Sequence, residues 1–165
     1  MYAPGRDGDL HWMQRAIDLA ALCPAAAGAY SVGAVIVGAN GEELAAGYSR
    51  EADPREHAEE AALAKLPARG SRLSGATIYS TLEPCSERSA DRTPCAQRIL
   101  EARIPRVVIA WREPAHFVAD CVGVEQLTTA GVIVDELSEL ADAARAVNRH
   151  LFDERHGRGA PRGEP

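Results

Sequence analysis

The sequence predicts an α/β protein, a three-layer α/β/α sandwich in which a five-stranded mixed sheet carries helices on both faces. Five short runs rich in β-branched residues alternate with helical patterns, and a strong hairpin turn, Asn40-Gly41, lies between the first two runs. The two hairpin strands should be antiparallel. The later strands are joined through helices and should therefore be parallel.

The elements follow in order along the chain. The first strand, SVGAVIV, is continuously apolar, so we expect it at the centre of the sheet and buried on both faces. Two helices have start signals in which a capping residue precedes a proline, Asp53-Pro54 and Thr93-Pro94, and Glu56 completes a capping-box-like pattern for the first. The predicted strands are 31–37, 44–49, 76–82, 106–111 and 131–136, and the predicted helices are about 9–22, 53–66, 93–103, 122–130 and 137–152.

Composition narrows the class of protein. The chain has 165 residues, of which 46% are apolar, and this fits one domain, which we place at 1–152, followed by a Gly/Pro/Arg-rich tail at 153–165 that we expect to be disordered. The net charge of −6 argues against a general nucleic-acid binder. No apolar run reaches the roughly 18 residues of a membrane span. The first residues lack the features of a signal peptide, so we expect a cytoplasmic protein.

Four residues at predicted strand exits and helix starts carry the chemistry. In a reducing compartment cysteines are expected to bind metal or be buried rather than form disulfides. His57, Cys85 and Cys95 supply three zinc ligands and leave a fourth position for water, which is typical of a catalytic site. We therefore predict one Zn²⁺ per chain. Residues two apart on a helix point about 200° apart, so Glu59 is predicted to be the catalytic acid/base rather than a ligand.

These residues also carry a resemblance to a known family. His57-Ala58-Glu59 followed by Pro84-Cys85 and then Cys95 resembles the cytidine deaminase superfamily signature, His-x-Glu and then Pro-Cys-x-x-Cys. The segment TLEPCSERSADRTPC is most similar to the pyrimidine deaminase domain of the bifunctional riboflavin-biosynthesis deaminase/reductases. The resemblance covers roughly 31–152. It implies a cytidine deaminase-like fold, a zinc aminohydrolase and a homodimer.

The chain departs from this family where the family binds its substrate. Nine residues separate Cys85 from Cys95, whereas most zinc deaminases have two at this point. Ala29-Tyr30 replaces an Asn-Pro, Glu87-Arg88 replaces two histidines, and Ser49 or a neighbour replaces a hairpin histidine. These changes affect the expected substrate contacts rather than the zinc ligands. The chain ends where the family's reductase domain would begin, so we expect any reductase to be a separate protein.

Five residues are candidate substrate contacts, and each has a plainer interpretation. Arg88 and Arg92 flank the second ligand and are able to bind a phosphate, or else they are solvated loop arginines. Trp111 lies at a strand end, where it either stacks on a base or packs in the core. His116 belongs either to a substrate loop or to an ordinary surface loop. Tyr30 is a candidate because it lies at one of the departures from the family.

Several functions remain open at this point. The first is hydrolytic deamination of a small aminopyrimidine, such as a riboflavin-pathway diaminopyrimidinone ribotide or a related specialised-metabolite intermediate. A cytosine- or guanine-type nucleobase or nucleotide deaminase is an alternative within the same class. A tRNA adenosine deaminase is another, but the acidic net charge counts against it. A non-catalytic zinc-stabilised binding module is the last, and Glu59 argues against it, because a structural site needs no general base.

Overall fold

The computed structural model describes residues 4–67, 73–112 and 121–153. It contains one five-stranded sheet, with strands β1 Gly33–Val37, β2 Glu43–Tyr48, β3 Thr77–Ser80, β4 Arg106–Ile109 and β5 Ile133–Glu136. The helices are α1 Arg6–Ala20, α2 Ala58–Ala64, α3 Cys95–Glu101, α4 Gly123–Thr129, α5 Ala141–Ala146 and α6 Arg149–Asp153, with a 3₁₀ turn at Ser138–Leu140. Within those described ranges, no helix has both the length and the apolar character needed to cross a bilayer.

The strand order of the sheet is β2-β1-β3-β4-β5. β1 is antiparallel to both β2 and β3, whereas β3, β4 and β5 are parallel to one another. β1 lies between two neighbours and all five of its residues are buried. The predictions of a mixed sheet and of a central first strand are therefore confirmed.

Two glycines show which helix covers each face of the sheet. A Cβ on Gly33 would lie 1.8 Å from the carbonyl oxygen of Ala16 in α1, and one on Gly47 would lie 2.6 Å from the backbone nitrogen of Ala62 in α2. Gly47 pairs with Ala34, the neighbour of Gly33. Because neighbouring strand residues face opposite ways, α1 and α2 cover opposite faces. α5 packs with α1, and α3 contacts both α2 and α4, which completes the three predicted layers.

The second helix begins later than predicted. α2 starts at Ala58 with His57 as its N-cap, not at Asp53. The Asp53 carboxylate instead accepts a hydrogen bond from the backbone N–H of Arg55 at 2.7 Å, and the Glu56 carboxylate turns back to the preceding loop. Such local bonds give the backbone an alternative to the helix. The consequence is that His57 lies at the mouth of the helix rather than inside its first turn.

The single helix predicted for 137–152 is wrong, since this segment is divided into the 3₁₀ turn, α5 and α6. The break lies at Asn148, whose side chain is buried and accepts a hydrogen bond from the backbone N–H of Ser31 at 2.6 Å. Its amide nitrogen donates to the carbonyls of Ser31 and Ala144. Asn148 thus pairs with the chain just before β1 and competes with helix continuation.

The other boundaries differ by a few residues. α3 begins at Cys95 with Pro94 as its N-cap, one position after the proline that was expected inside the helix. The predicted tail lies outside the described residues except for Asp153, which ends α6.

The close approach of α2 to the sheet gives a first prediction. Gly47→Ala should lower the free energy of unfolding by about 1–3 kcal/mol, because the added methyl meets the α2 backbone rather than a movable side chain. The measurement is urea unfolding. The matched control is Gly28→Ala, where the added methyl meets nothing within 4 Å. Equal unfolding midpoints for the two variants would contradict this packing.

Candidate metal centre and active site

The candidate site lies where the start of α2, the exit of β3 and the start of α3 converge. His57 caps α2, Cys85 follows β3 by five residues, and Cys95 is the first residue of α3. The backbone N–H of Ala96 donates to the carbonyl of Cys85 at 3.1 Å, which ties α3 to the β3 exit. Carboxyl ends of parallel strands are where α/β folds place their sites, and β3 is parallel to β4.

Three donor atoms form a compact triangle at this point. The Sγ atoms of Cys85 and Cys95 each lie 3.5 Å from Nδ1 of His57, and the donor atoms all lie within 4.8 Å of one another. Among the described residues, this is the one group of at least three His, Cys, Asp or Glu side chains with such spacing. One imidazole nitrogen and two sulfurs are a donor set that suits a zinc ion with an open fourth position.

The two thiols have very different acidities. The pKa of Cys85 is lowered to about 4, chiefly because Cys95 donates a side-chain hydrogen bond to its sulfur, and the backbone N–H of Cys95 donates another at 3.2 Å. The pKa of Cys95 is raised by its hydrogen bond with Cys85 and by burial. Burial lowers the pKa of His57, but the bond to Cys85 and the charge on its sulfur outweigh this effect and raise it. Cys85 is therefore the more acidic of the two thiols.

Glu59 lies beside the triangle but outside it. Glu59 is 4% exposed, and its Oε1 accepts a hydrogen bond from the Ser80 hydroxyl at 2.9 Å. Burial raises the pKa of Glu59, while His57 and the Ser80 bond act in the opposite direction. A raised pKa brings this carboxyl closer to the pH at which a general acid or base works.

A cavity of about 430 Å³ opens above these groups. This volume falls in the range of small-molecule sites, roughly 300–1,000 Å³. His57, Glu59 and Cys85 line it, together with residues of the loop before β1, the exit of β2, the loop before α2 and the loop after β3, and Cys121. A small ring bound in the cavity would therefore lie against both the donor triangle and the Glu59 carboxylate.

The predicted substrate contacts fall into different places. Arg88 and Tyr30 line the cavity, whereas Arg92 does not and is bound by Asp53 at 2.9 Å. His116 lies outside the described residues.

Trp111 lies in the core rather than in the cavity, and it is 2% exposed. Its ring packs edge-on against Tyr30 with ring centroids 5.8 Å apart, and it also contacts Phe152 and the guanidinium of Arg145. The core-packing interpretation of Trp111 is therefore the one that the geometry supports, and stacking on a substrate base is not.

Sequence reasoning missed two polar residues of the site. Ser80 is the last residue of β3, and a hydroxyl at the end of a buried strand is a signal in the sequence for a site at the sheet edge. Glu60 lies at the third position of α2, where it completes the capping box of His57 in place of the predicted Glu56. The Glu60 carboxylate accepts a hydrogen bond from the backbone N–H of His57 at 3.4 Å. The spacing of three residues between His57 and Glu60 is the usual capping-box distance and is visible in the sequence.

Fold and site together define a zinc-binding α/β domain of the deaminase type. Residues 7–111 match the family model for the cytidine and deoxycytidylate deaminase zinc-binding region, a span that includes His57, Glu59, Cys85 and Cys95. The chain belongs to this family, as its motifs predicted. The predicted cofactor, one zinc ion per chain, is confirmed by the family's zinc-binding region together with the donor triangle.

Relatives of this chain carry riboflavin-pathway names. It is 40% identical over 127 residues to a diaminohydroxyphosphoribosylamino-pyrimidine deaminase of Schizosaccharomyces pombe, covering 76% of this chain and 31% of the relative. It is 39% identical over 160 residues to the riboflavin biosynthesis protein RibD of Haemophilus influenzae, covering 93% and 39%. A structure of Acinetobacter baumannii RibD superposes with a TM-score of 0.74 at 31% identity, covering 89% and 40%. The chain thus spans about a third to two fifths of the length of these relatives.

The Ser80 contact gives a second prediction. Removal of the hydroxyl in Ser80→Ala takes away a bond that lowers the pKa of Glu59, so this pKa should rise further. A base with a higher pKa is protonated at higher pH, so in a reaction that uses Glu59 as its base the acidic limb of kcat/KM should move to higher pH. Thr77→Val is the matched control, because the Thr77 hydroxyl is buried on the same strand and has no hydrogen-bond partner in the described structure. A limb that moves equally in both variants, or in neither, would contradict the role of Ser80.

Proposed function

We propose that this chain is a zinc-dependent hydrolytic deaminase that acts on a diaminohydroxyphosphoribosylamino-pyrimidine, the compound for which its Schizosaccharomyces pombe relative is named. The observation that carries the proposal is the buried Glu59 carboxylate beside the His57, Cys85 and Cys95 donor triangle, where it lines a cavity large enough for a pyrimidine ring.

The chemistry follows from the position of each group. His57, Cys85 and Cys95 would hold the zinc ion, with both thiols ionised. Zinc, when bound, supplies a Lewis acid that activates water at neutral pH. Glu59 accepts a proton from the attacking water and delivers it to the amino group that leaves as ammonia. A carbonyl then replaces the amine on the ring. The raised pKa of Glu59 suits it to both halves of this transfer.

The cavity also supports a small substrate rather than a nucleic acid. It is lined by short segments of this one chain, and the chain has a net charge of −6. A cytoplasmic location and a homodimer belong to the same proposal. Zinc binding requires reduced thiols at Cys85 and Cys95, which a reducing compartment provides, and the resemblance to deaminases of this fold supports the dimer. Light scattering on the purified protein tests the dimer through its molar mass.

The test of the function is ammonia release by the purified, zinc-loaded protein. The panel contains the diaminopyrimidinone ribotide, cytosine, cytidine, deoxycytidylate, guanine and a tRNA anticodon stem, and Glu59→Ala serves as the blank. Release from the ribotide alone supports the proposal. Release from another amine would mean that the substitutions at Ala29-Tyr30 and Glu87-Arg88 have changed the substrate.

A third prediction separates the metal from the proton transfer. Glu59→Ala should keep its zinc and lose turnover by a factor of about 10² or more, the usual contribution of general acid–base catalysis. Cys95→Ala should lose its zinc, because Cys95 supplies one of the three donors. Zinc content by mass spectrometry and turnover are measured together.

Cys23→Ala is the matched control for Cys95→Ala. Cys23 is a partly buried thiol that lies outside the donor triangle, and its sulfur contacts the carbonyl of Val32. The Cys23→Ala variant should keep both its zinc and its turnover. Undiminished turnover in Glu59→Ala would contradict the mechanism, and full zinc occupancy in Cys95→Ala would contradict the ligand set.

A further inference from the structure

One carboxylate on α2 meets three guanidinium groups. Arg88 Nη1 lies 2.7 Å from Oε2 of Glu60. Arg98 Nη2 and Arg92 Nη1 lie 3.1 Å and 3.4 Å from Oε1 of the same side chain. Both carboxylate oxygens are therefore used, and the backbone N–H of His57 approaches Oε2 as well. We call Glu60 with Arg88, Arg92 and Arg98 the arginine clasp.

The clasp joins the segments that build the site. Arg88 and Arg92 belong to the nine residues between Cys85 and Cys95, and Arg98 lies on α3. Glu60 lies one residue after Glu59, on the helix that His57 caps. The clasp thus fixes the long loop between two metal donors to the helix that carries the third donor and the proposed acid/base.

The clasp is less exposed than an ordinary surface ion pair. The Glu60 side chain is 14% exposed and the Arg88 side chain is 7% exposed, whereas the Arg55–Asp91 pair in the same region is more than half exposed at both ends. Solvent screens partly buried charges less than exposed ones. The pKa of Glu60 is lowered, since the bond to Arg88 and the charges of the arginines outweigh the effect of burial. Glu60 is therefore ionised and able to compensate the arginines at neutral pH.

Arg88 connects the clasp to the cavity. It lines the cavity wall, and its second guanidinium nitrogen donates to the main-chain carbonyl of Arg55, another lining residue. Glu60 and the Arg55 carbonyl thus hold the two terminal nitrogens of the guanidinium. Loss of Glu60 would leave Arg88 with one anchor and three arginines without their shared counter-charge.

We propose that Glu60 is a positioning residue, which acts through Arg88 to hold the loop between Cys85 and Cys95 in place as a wall of the substrate cavity. The effect on substrate rests on the deaminase function proposed above, whereas the ordering of the loop does not. Glu60 contacts the backbone N–H of His57 but none of the three donor atoms, so it should change binding of substrate more than the rate of the chemical step.

The experiment compares Glu60→Gln, Glu60→Asp and the control Glu43→Gln in the zinc-loaded protein. Glu60→Gln keeps the volume of the side chain but removes its charge, and Glu60→Asp keeps the charge with a shorter reach. Glu43 pairs with Arg15 away from the cavity, so its variant measures the loss of an ordinary ion pair. Three quantities are measured: the rate of tryptic cleavage after Arg88 and Arg92, followed by mass spectrometry, the zinc content, and KM and kcat for the active substrate.

The expected result is specific to the loop. Glu60→Gln should be cleaved after Arg88 and Arg92 roughly tenfold faster than the wild type, with KM raised by a similar factor, kcat changed little and zinc retained. The cleavage rate and KM of Glu60→Asp should lie between those of Glu60→Gln and the wild type. Both quantities in Glu43→Gln should match the wild type. If no amine in the panel is a substrate, the proposed function fails, while the cleavage rates still test the clasp.

Three results would overturn the proposal. Equal cleavage rates in Glu60→Gln and the wild type would mean that the loop is held by other contacts. A general loss of thermal stability, with cleavage accelerated equally at all sites and KM unchanged in the folded fraction, would make Glu60 merely structural. Loss of zinc from Glu60→Gln would make Glu60 a support of His57 rather than of the loop.

Discussion

The site depends on how closely α2 approaches the sheet. The absence of a side chain at Gly47 lets the α2 backbone come within reach of β2, where a methyl group would collide with it. This approach brings Nδ1 of His57 to 3.5 Å from both sulfurs and the Glu59 carboxylate to 2.9 Å from Ser80. A helix held further from the sheet would separate donors that belong to three different segments. The donor triangle therefore depends on the packing of the α2 backbone against β2.

The site buries two ionisable side chains, and burial disfavours their charged forms. Glu59 and Cys95 are both buried, and burial raises the pKa of each. Groups with strongly shifted pKa values gather at functional sites, where such strain is retained because the reaction needs it. A zinc ion would offset part of the cost of burying ionised thiols, because its positive charge would compensate the negative charge of the sulfurs. Zinc binding and folding stability should therefore be coupled in this domain.

Short sequence patterns were enough to predict the sheet and the donor residues, because each of these features depends on a few neighbouring residues. The Asn40-Gly41 turn and the helices between later strands determine which strand pairs are antiparallel and which parallel. The features that sequence did not reveal depend on residues far apart in the chain. Asn148 breaks the last helix because it pairs with Ser31, and Trp111 is buried because Tyr30 and Phe152 fold against it. The arginine contacts of Glu60 come from residues 28 to 38 positions further along the chain.

The most direct test of the account is X-ray absorption at the zinc edge of the purified protein. The donor triangle predicts one zinc per chain, with two sulfur neighbours, one imidazole nitrogen and one further light atom at the open position, at the usual distances of about 2.3 Å for sulfur and about 2.0–2.1 Å for nitrogen. A coordination shell of four sulfurs, or one with no sulfur, would contradict the assignment of His57, Cys85 and Cys95 as the ligands.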